Sequence, residues 1–125
     1  MTLAEENALV ESEFNDLLQG YINSNHRKKV EMIERAFRFA RKAHKGVRRR
    51  SGEPYILHPI AVAKIVSREI GLGSTSICAA LLHDVVEDTE YTVEDIEGQF
   101  GSKIARIVDG LTKISGGIFG DKASV

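Results

Sequence analysis

The chain has 125 residues, 42% of them hydrophobic and 28% charged, which is the size and balance of one domain able to bury a core. A single cysteine excludes an internal disulfide framework and fits a reducing compartment. No apolar run approaches the roughly 18 residues of a membrane span. The N-terminus lacks the basic and apolar regions of a secretory signal, so a cytoplasmic location is expected. The absence of Trp and the low aromatic content argue against a base-stacking DNA or RNA binder.

The formal net charge of −1 hides blocks. Residues 1–26 carry five acids and no Lys or Arg. Residues 27–50 carry eleven basic residues and two acids, and residues 84–97 carry seven acids and no basic residue. A basic block suits an anionic ligand and an acidic block a cation, although solvated helix faces give the same composition.

In chain order the patterns are helical throughout. Phe14, Leu17, Leu18 and Tyr21 predict a short first helix ending near Gly20. His26 with Arg27, Lys28 and Lys29 reads as a solvated helix start. Val30, Ile33, Phe37, Ala40 and His44 form the apolar stripe of a second helix stopped by Gly46, with His44 expected to be packed rather than a ligand. Residues 46–55 read as a Gly/Pro loop. His58-Pro59 opens a third helix running to about Ile70, with Gly71 as its stop. Ser74 or Thr75 is expected to cap a fourth helix with the apolar run 77–82, in which Cys78 is an inert core thiol. Thr92 and Asp95 fit a variant capping box for a short fifth helix ending near Gly101. Ser102 is expected to cap a last helix carrying Ile104, Ile107, Val108 and Leu111. The reading is an all-α chain of five to six helices, divided into an acidic segment 1–26, a principal domain 27–114 and a flexible tail 115–125.

Two segments carry chemistry. In the first, His83 and Glu87 are four apart, Asp84 and Asp88 four apart, and Asp84 and Glu87 three apart, so on a helix they share one face. Clustered carboxylates repel, and a divalent cation offsets that repulsion. Imidazole plus carboxylate suits Mn, Fe or Zn rather than Ca. A frayed, solvated helix end is the bland alternative, although an acidic last turn opposes the helix dipole. In the second segment, Arg48, Arg49 and Arg50 sit on a Gly/Pro loop and form a natural phosphate clamp. His58 stands at the following helix start and becomes a third ligand candidate when paired with His83 and Asp84. Together the two segments suggest a phosphorylated substrate hydrolysed by metal-activated water.

Three stretches, Arg49-Arg50-Ser51-Gly52-Glu53-Pro54-Tyr55-Ile56-Leu57-His58-Pro59, Ala79-Ala80-Leu81-Leu82-His83-Asp84-Val85-Val86-Glu87-Asp88-Thr89 and Val108-Asp109-Gly110-Leu111-Thr112-Lys113, closely resemble the N-terminal hydrolase domain of the RelA/SpoT family. That domain belongs to the HD superfamily of metal-dependent phosphohydrolases, and the resemblance runs from about Val30 to Lys113. It implies an HD-type helical fold, incomplete at its C-terminus. His58, His83 and Asp84 would be ligands of one Mn²⁺. Glu87 and Asp88 would position or activate the hydrolytic water, and Arg49, Arg50 and Ser51 would hold a guanine nucleotide. The implied reaction removes the 3′-pyrophosphate of (p)ppGpp, giving GDP or GTP and pyrophosphate, in the stringent response. Thr112 and Lys113 lie in a family-like stretch without an assignable role.

The family more often has Lys where this chain has Arg50. It also supplies a fourth ligand, an Asp, from a later helix that does not occur before Val125. The chain is therefore expected to be a truncated part of the domain, weakly active or inactive alone and prone to self-associate through exposed apolar surface. A different HD-type nucleotide phosphohydrolase and a non-catalytic nucleotide-sensing module remain open as alternatives.

Overall fold

The computed structural model describes residues 1–23, 29–70 and 72–118 and contains six α-helices. Among the described residues there is no β-strand, only an isolated bridge between Arg48 and Pro54. The all-α expectation holds. The readings placed on residues 24–28, on Gly71 and on residues 119–125 lie outside the described residues.

Helix α1 (Leu3–Asn23) is longer than its sequence signals suggest. Thr2 and Glu5 exchange backbone-to-side-chain hydrogen bonds that start it, at 2.8 and 3.1 Å. Val10, Phe14, Leu17 and Tyr21 form its buried stripe. Gly20 does not end the helix. It lies under the Arg68 guanidinium, where a Cβ would come within 3.0 Å of Nε. Arg68 donates to the Asp16 carbonyl and pairs with its carboxylate, both at 2.9 Å. The glycine therefore permits a close approach and is not a stop.

Helix α2 (Val30–Ala43) buries Ile33, Ala36, Phe37 and Ala40, the expected stripe. Its Phe37 stacks on Phe14 of α1, with ring centroids 3.9 Å apart and planes 7° from parallel. The chain turns away after His44 through Gly46, at φ 81°.

Helix α3 (Leu57–Ile65) passes into a π-helical turn (Val66–Ile70), so the single helix expected to Ile70 changes its hydrogen-bond register at Val66. Pro59 is the third helical residue rather than the first. The first four amides of a helix have no internal acceptor, so its missing N–H costs nothing there. Lys64 pairs with Glu13 and with Asp16 (3.0 Å), fastening α3 to α1.

Helix α4 (Ser74–Asp88) is the centre of the fold and packs against α2, α3 and α6. Every residue from Ile77 to Leu82 is buried, so the helix is enclosed on all sides. Cys78 is among them, and burial pushes its thiol up to about 12, the inert state expected. Gly73, in an extended conformation, is the N-cap, and neither Ser74 nor Thr75 caps the helix by a side chain. Helix α5 (Val93–Phe100) has the expected capping box, with Thr92 and Asp95 bonded reciprocally at 2.9 and 3.2 Å. Gly101, at φ 92°, turns the chain into α6 (Ser102–Ile118), whose first helical residue is Ser102. Helix α6 takes in the first four residues of the segment read as a tail.

Phe37 is fully buried and joins α1 to α2. Phe37→Ala should destabilise the chain by about 3–5 kcal/mol. Urea unfolding followed by circular dichroism measures this as a lower midpoint at unchanged slope.

Candidate metal and phosphate site

The site forms where the loop between α2 and α3 folds over the C-terminal half of α4. The loop is pinned by its own backbone. Arg49 N–H donates to the Glu53 carbonyl at 2.9 Å, Gly52 N–H to the Arg49 carbonyl at 2.8 Å, and Tyr55 N–H to the Val47 carbonyl at 2.9 Å. Gly52 takes φ 93°, a conformation that favours glycine.

The three loop arginines divide by function. Arg48 lines the same cavity as Arg49 and Arg50 but is already paired. Both its terminal nitrogens donate to the Glu6 carboxylate at 2.7 Å, and one also reaches the Gly52 carbonyl at 2.7 Å. This fork ties α1 to the loop. Arg49 pairs with Glu53 at 3.3 Å, and the Ser51 hydroxyl donates to the same carboxylate at 3.2 Å. Arg50 is exposed and makes no ion pair among the described residues. Arg49, Arg50 and Ser51 face Tyr55 and Asp88 across an open cavity of about 570 Å³. Loop and acidic helix end thus form one concave surface.

Asp84 lies at the bottom of the site, fully buried. One carboxylate oxygen, Oδ1, is 3.1 Å from His83 Nε2. The other, Oδ2, accepts the Tyr55 hydroxyl at 2.8 Å and lies 3.8 Å from His58 Nε2. Donor atoms of His83, Asp84 and Glu87 all fall within 4.8 Å of one another. His83 Nδ1 is 2.7 Å from the Ala80 carbonyl, which can only accept, so Nδ1 carries the hydrogen and Nε2 is turned toward Asp84.

This donor set fits a divalent metal. Bonds of about 2.0–2.2 Å to one ion leave ligand atoms roughly 3–4 Å apart, the range of the two His–Asp separations. An imidazole whose second nitrogen is bonded to a carbonyl is the usual form of a metal-binding histidine. In the metal-free protein the proton is the competing cation. Burial lowers the pKa of His83, but the hydrogen bond and charge of Asp84, the Ala80 carbonyl and the charge of Glu87 outweigh it and raise it overall.

Two groups escaped the sequence reading. Tyr55 stands three residues before His58, and its ring lies near those of His44 and His58, with centroids 4.9 and 5.8 Å away. Burial first, then the Asp84 and Asp88 carboxylates, push its hydroxyl far above the usual range, so it stays a donor. Glu6 was legible only as one acid in an acidic block. Thr112 and Lys113 are engaged along α6, the hydroxyl with the Val108 carbonyl at 2.9 Å and the ammonium with Asp109 at 3.1 Å.

His44 is packed, as its stripe implies. It is 3% exposed, and neither ring nitrogen has a hydrogen-bond partner among the described residues. Burial holds its pKa below 6.5, against the opposing charges of Asp84 and Asp88. Unfolding therefore takes up a proton here below pH 6.5, and stability present above that pH is lost as the pH falls through the folded-state value. His83, with its raised value, runs the other way, contributing fully below 6.5 and losing its contribution as the pH rises. His44→Phe should remove the acid-side loss alone. Thermal melts across pH should show the variant gaining on the parent chain as the pH drops below 6.5, with a constant difference above it.

The model of the HD domain family matches residues 36–117. The Streptomyces coelicolor GTP pyrophosphokinase is 46% identical over 94 residues, covering 75% of this chain and 11% of that protein. The Vibrio cholerae guanosine-3′,5′-bis(diphosphate) 3′-pyrophosphohydrolase is 44% identical over 99 residues, covering 79% and 14%. The Escherichia coli K12 bifunctional (p)ppGpp synthase/hydrolase SpoT is 44% identical over 108 residues, covering 86% and 15%. The chain thus spans between 11% and 15% of the length of these curated relatives. A solved structure of a metazoan ortholog of SpoT that hydrolyses ppGpp superimposes with a TM-score of 0.61 at 36% identity, covering 64% of this chain and 47% of its own. The chain belongs to the HD domain family, and its similarity within that family runs to the SpoT-type (p)ppGpp enzymes.

Proposed function

We propose that this chain is part of a Mn²⁺-dependent hydrolase domain that removes the 3′-pyrophosphate of (p)ppGpp, yielding GDP or GTP and pyrophosphate in the stringent response. One observation carries the reading. A fully buried aspartate lies between two histidines, and an arginine loop faces the same helix end across one cavity. His58, His83 and Asp84 would hold the metal, which when bound supplies Lewis acidity and lowers the pKa of water. Glu87 and Asp88, in the last turn of α4, would orient the attacking water and accept its proton. Arg50 is the cation available to phosphate oxygens. Arg49 would exchange the Glu53 carboxylate for a phosphate, and Ser51 would donate its hydroxyl beside it.

The RelA/SpoT pattern adds a fourth carboxylate ligand from a helix beyond these residues. Among the described residues no helix is long and apolar enough to cross a membrane, and a cytoplasmic setting suits the substrate. Exposed Ile65, Ile70 and Leu72 are the surface through which the chain would self-associate.

A transplant tests the proposal without depending on where the chain ends. The matching segment of the Vibrio cholerae relative is replaced by that of this chain, and pyrophosphate release from ppGpp is followed. Mn²⁺-dependent release is the expected result. Asp84→Ala should reduce it by about 100-fold or more, beyond the 10–100-fold usual for outer-shell changes. Arg50→Ala should act mainly on KM. A folded chimera that binds guanine nucleotide without hydrolysing it would replace the enzyme reading with that of a nucleotide-sensing module.

A further inference from the structure

We infer that Tyr55 is a positioning residue, whose hydroxyl holds the Asp84 carboxylate in the orientation that turns Oδ1 to His83. A carboxylate torsion is broad and two-fold, so covalent geometry alone does not fix the direction of its oxygens. In a buried carboxylate, the hydrogen-bond donors decide it. Here the Tyr55 hydroxyl takes Oδ2 at 2.8 Å, which leaves Oδ1 3.1 Å from His83 Nε2. Rotation of the carboxylate would break this bond and change its separations from both His83 and His58.

Tyr55 is built to act as a fixed donor. Its amide is bonded to the Val47 carbonyl at 2.9 Å, and its own carbonyl accepts the His58 amide at 2.9 Å. The next residue, Ile56, is buried in the core. The ring lies against those of His44 and His58, with centroids 4.9 and 5.8 Å away. Little freedom remains for the hydroxyl except rotation of its hydrogen, and against an ionised carboxylate that hydrogen can only be donated. Tyr55 also lines the cavity beside Arg49, Arg50 and Ser51. It therefore belongs both to the phosphate-facing loop and to the support of the buried carboxylate. Displacement of the loop would be felt at Asp84 through one rigid ring. The consequence for metal binding rests on the function proposed above, whereas the orientation of the carboxylate does not.

Tyr55→Phe removes one oxygen and keeps the ring, so its effect separates the hydroxyl from packing. Crystal structures of the metal-free chain and the variant would be compared. Mn²⁺ titrations of both would be followed by paramagnetic broadening of the α4 amide signals, which also detects weak binding. The expected result is an unchanged backbone, an Asp84 carboxylate turned away from its parent orientation, and Mn²⁺ affinity lower by about 10–100-fold. An Asp84 carboxylate that keeps its orientation in the variant would overturn the inference, whereas equal Mn²⁺ affinity beside a turned carboxylate would count against the metal reading alone. A parent chain without Mn²⁺ broadening, together with a turned carboxylate in the variant, would support the role of Tyr55 and count against the metal reading instead. Should the variant fail to fold, the parent chain decides. A slowly exchanging Tyr55 hydroxyl proton with cross-relaxation to α4 supports the inference, and a rapidly exchanging one overturns it.

Discussion

A carboxylate with no solvent exposure organises this molecule. Moving such a group from water to a low-dielectric interior costs about 20 kcal/mol in the idealised limit and several kcal/mol in real proteins. Asp84 is nonetheless fully buried, because α4 carries it there. The run from Ile77 to Leu82 is enclosed by α2, α3 and α6, and the residue after His83 has no route to solvent. The Tyr55 hydroxyl and two imidazoles surround it. Those groups come from the loop, from α3 and from α4 itself, so the placement of three segments follows from the needs of one side chain.

The charge blocks have a second explanation once the helices are in place. The acidic α1 lies along the basic elements. Glu6 takes Arg48, Glu11 takes Arg41, Glu13 takes Lys64, and Asp16 takes Lys64 and Arg68. Most such pairs are partly exposed and individually contribute little. Of the cations that α1 takes, Arg41 and Arg48 belong to the basic block, so part of that block is neutralised within the fold. The bidentate Glu6–Arg48 pair also fixes the loop from outside, while Tyr55 fixes it from within. Arg50 is exposed and makes no ion pair among the described residues. A basic block is thus a poor measure of a binding surface until its internal partners are known.

What was legible in the sequence follows from distance along the chain. The α2 stripe, the α5 capping box and the shared face of His83, Asp84 and Glu87 depend on separations of three or four residues, which the helix period fixes. The length of α1 was hidden because Gly20 reads locally as a stop. The Arg68 side chain that explains it comes from the far end of α3 and its π-turn. The change to a π-turn at Val66 left no local signal, and Ser74 had the chemistry of a cap but not the position, because Gly73 already has the extended backbone an N-cap requires. Tyr55 and Asp84 are 29 residues apart, and Glu6 and Arg48 are 42 apart. No periodicity relates such pairs. The motif containing Tyr55 was visible, yet its role depends on a carboxylate that only the packing of α4 brings beneath it.

The end of α4 shows why stability alone does not account for this arrangement. Its last turn holds Glu87 and Asp88 and no basic residue, and Asp84 lies just before it. The negative pole of the helix dipole lies there too, so the backbone adds to the repulsion. Thr89 relieves part of it by donating its amide and hydroxyl to the Val85 carbonyl. The pull of that field on a cation is visible at His83, whose pKa is raised against burial by Asp84 and Glu87, and donor atoms of His83, Asp84 and Glu87 lie close enough together to hold a divalent ion. The same field that weakens the helix end strengthens its attraction for a dication, and it grows with each carboxylate in the turn. Replacing these acids with neutral residues would therefore be expected to steady the helix and weaken the site together.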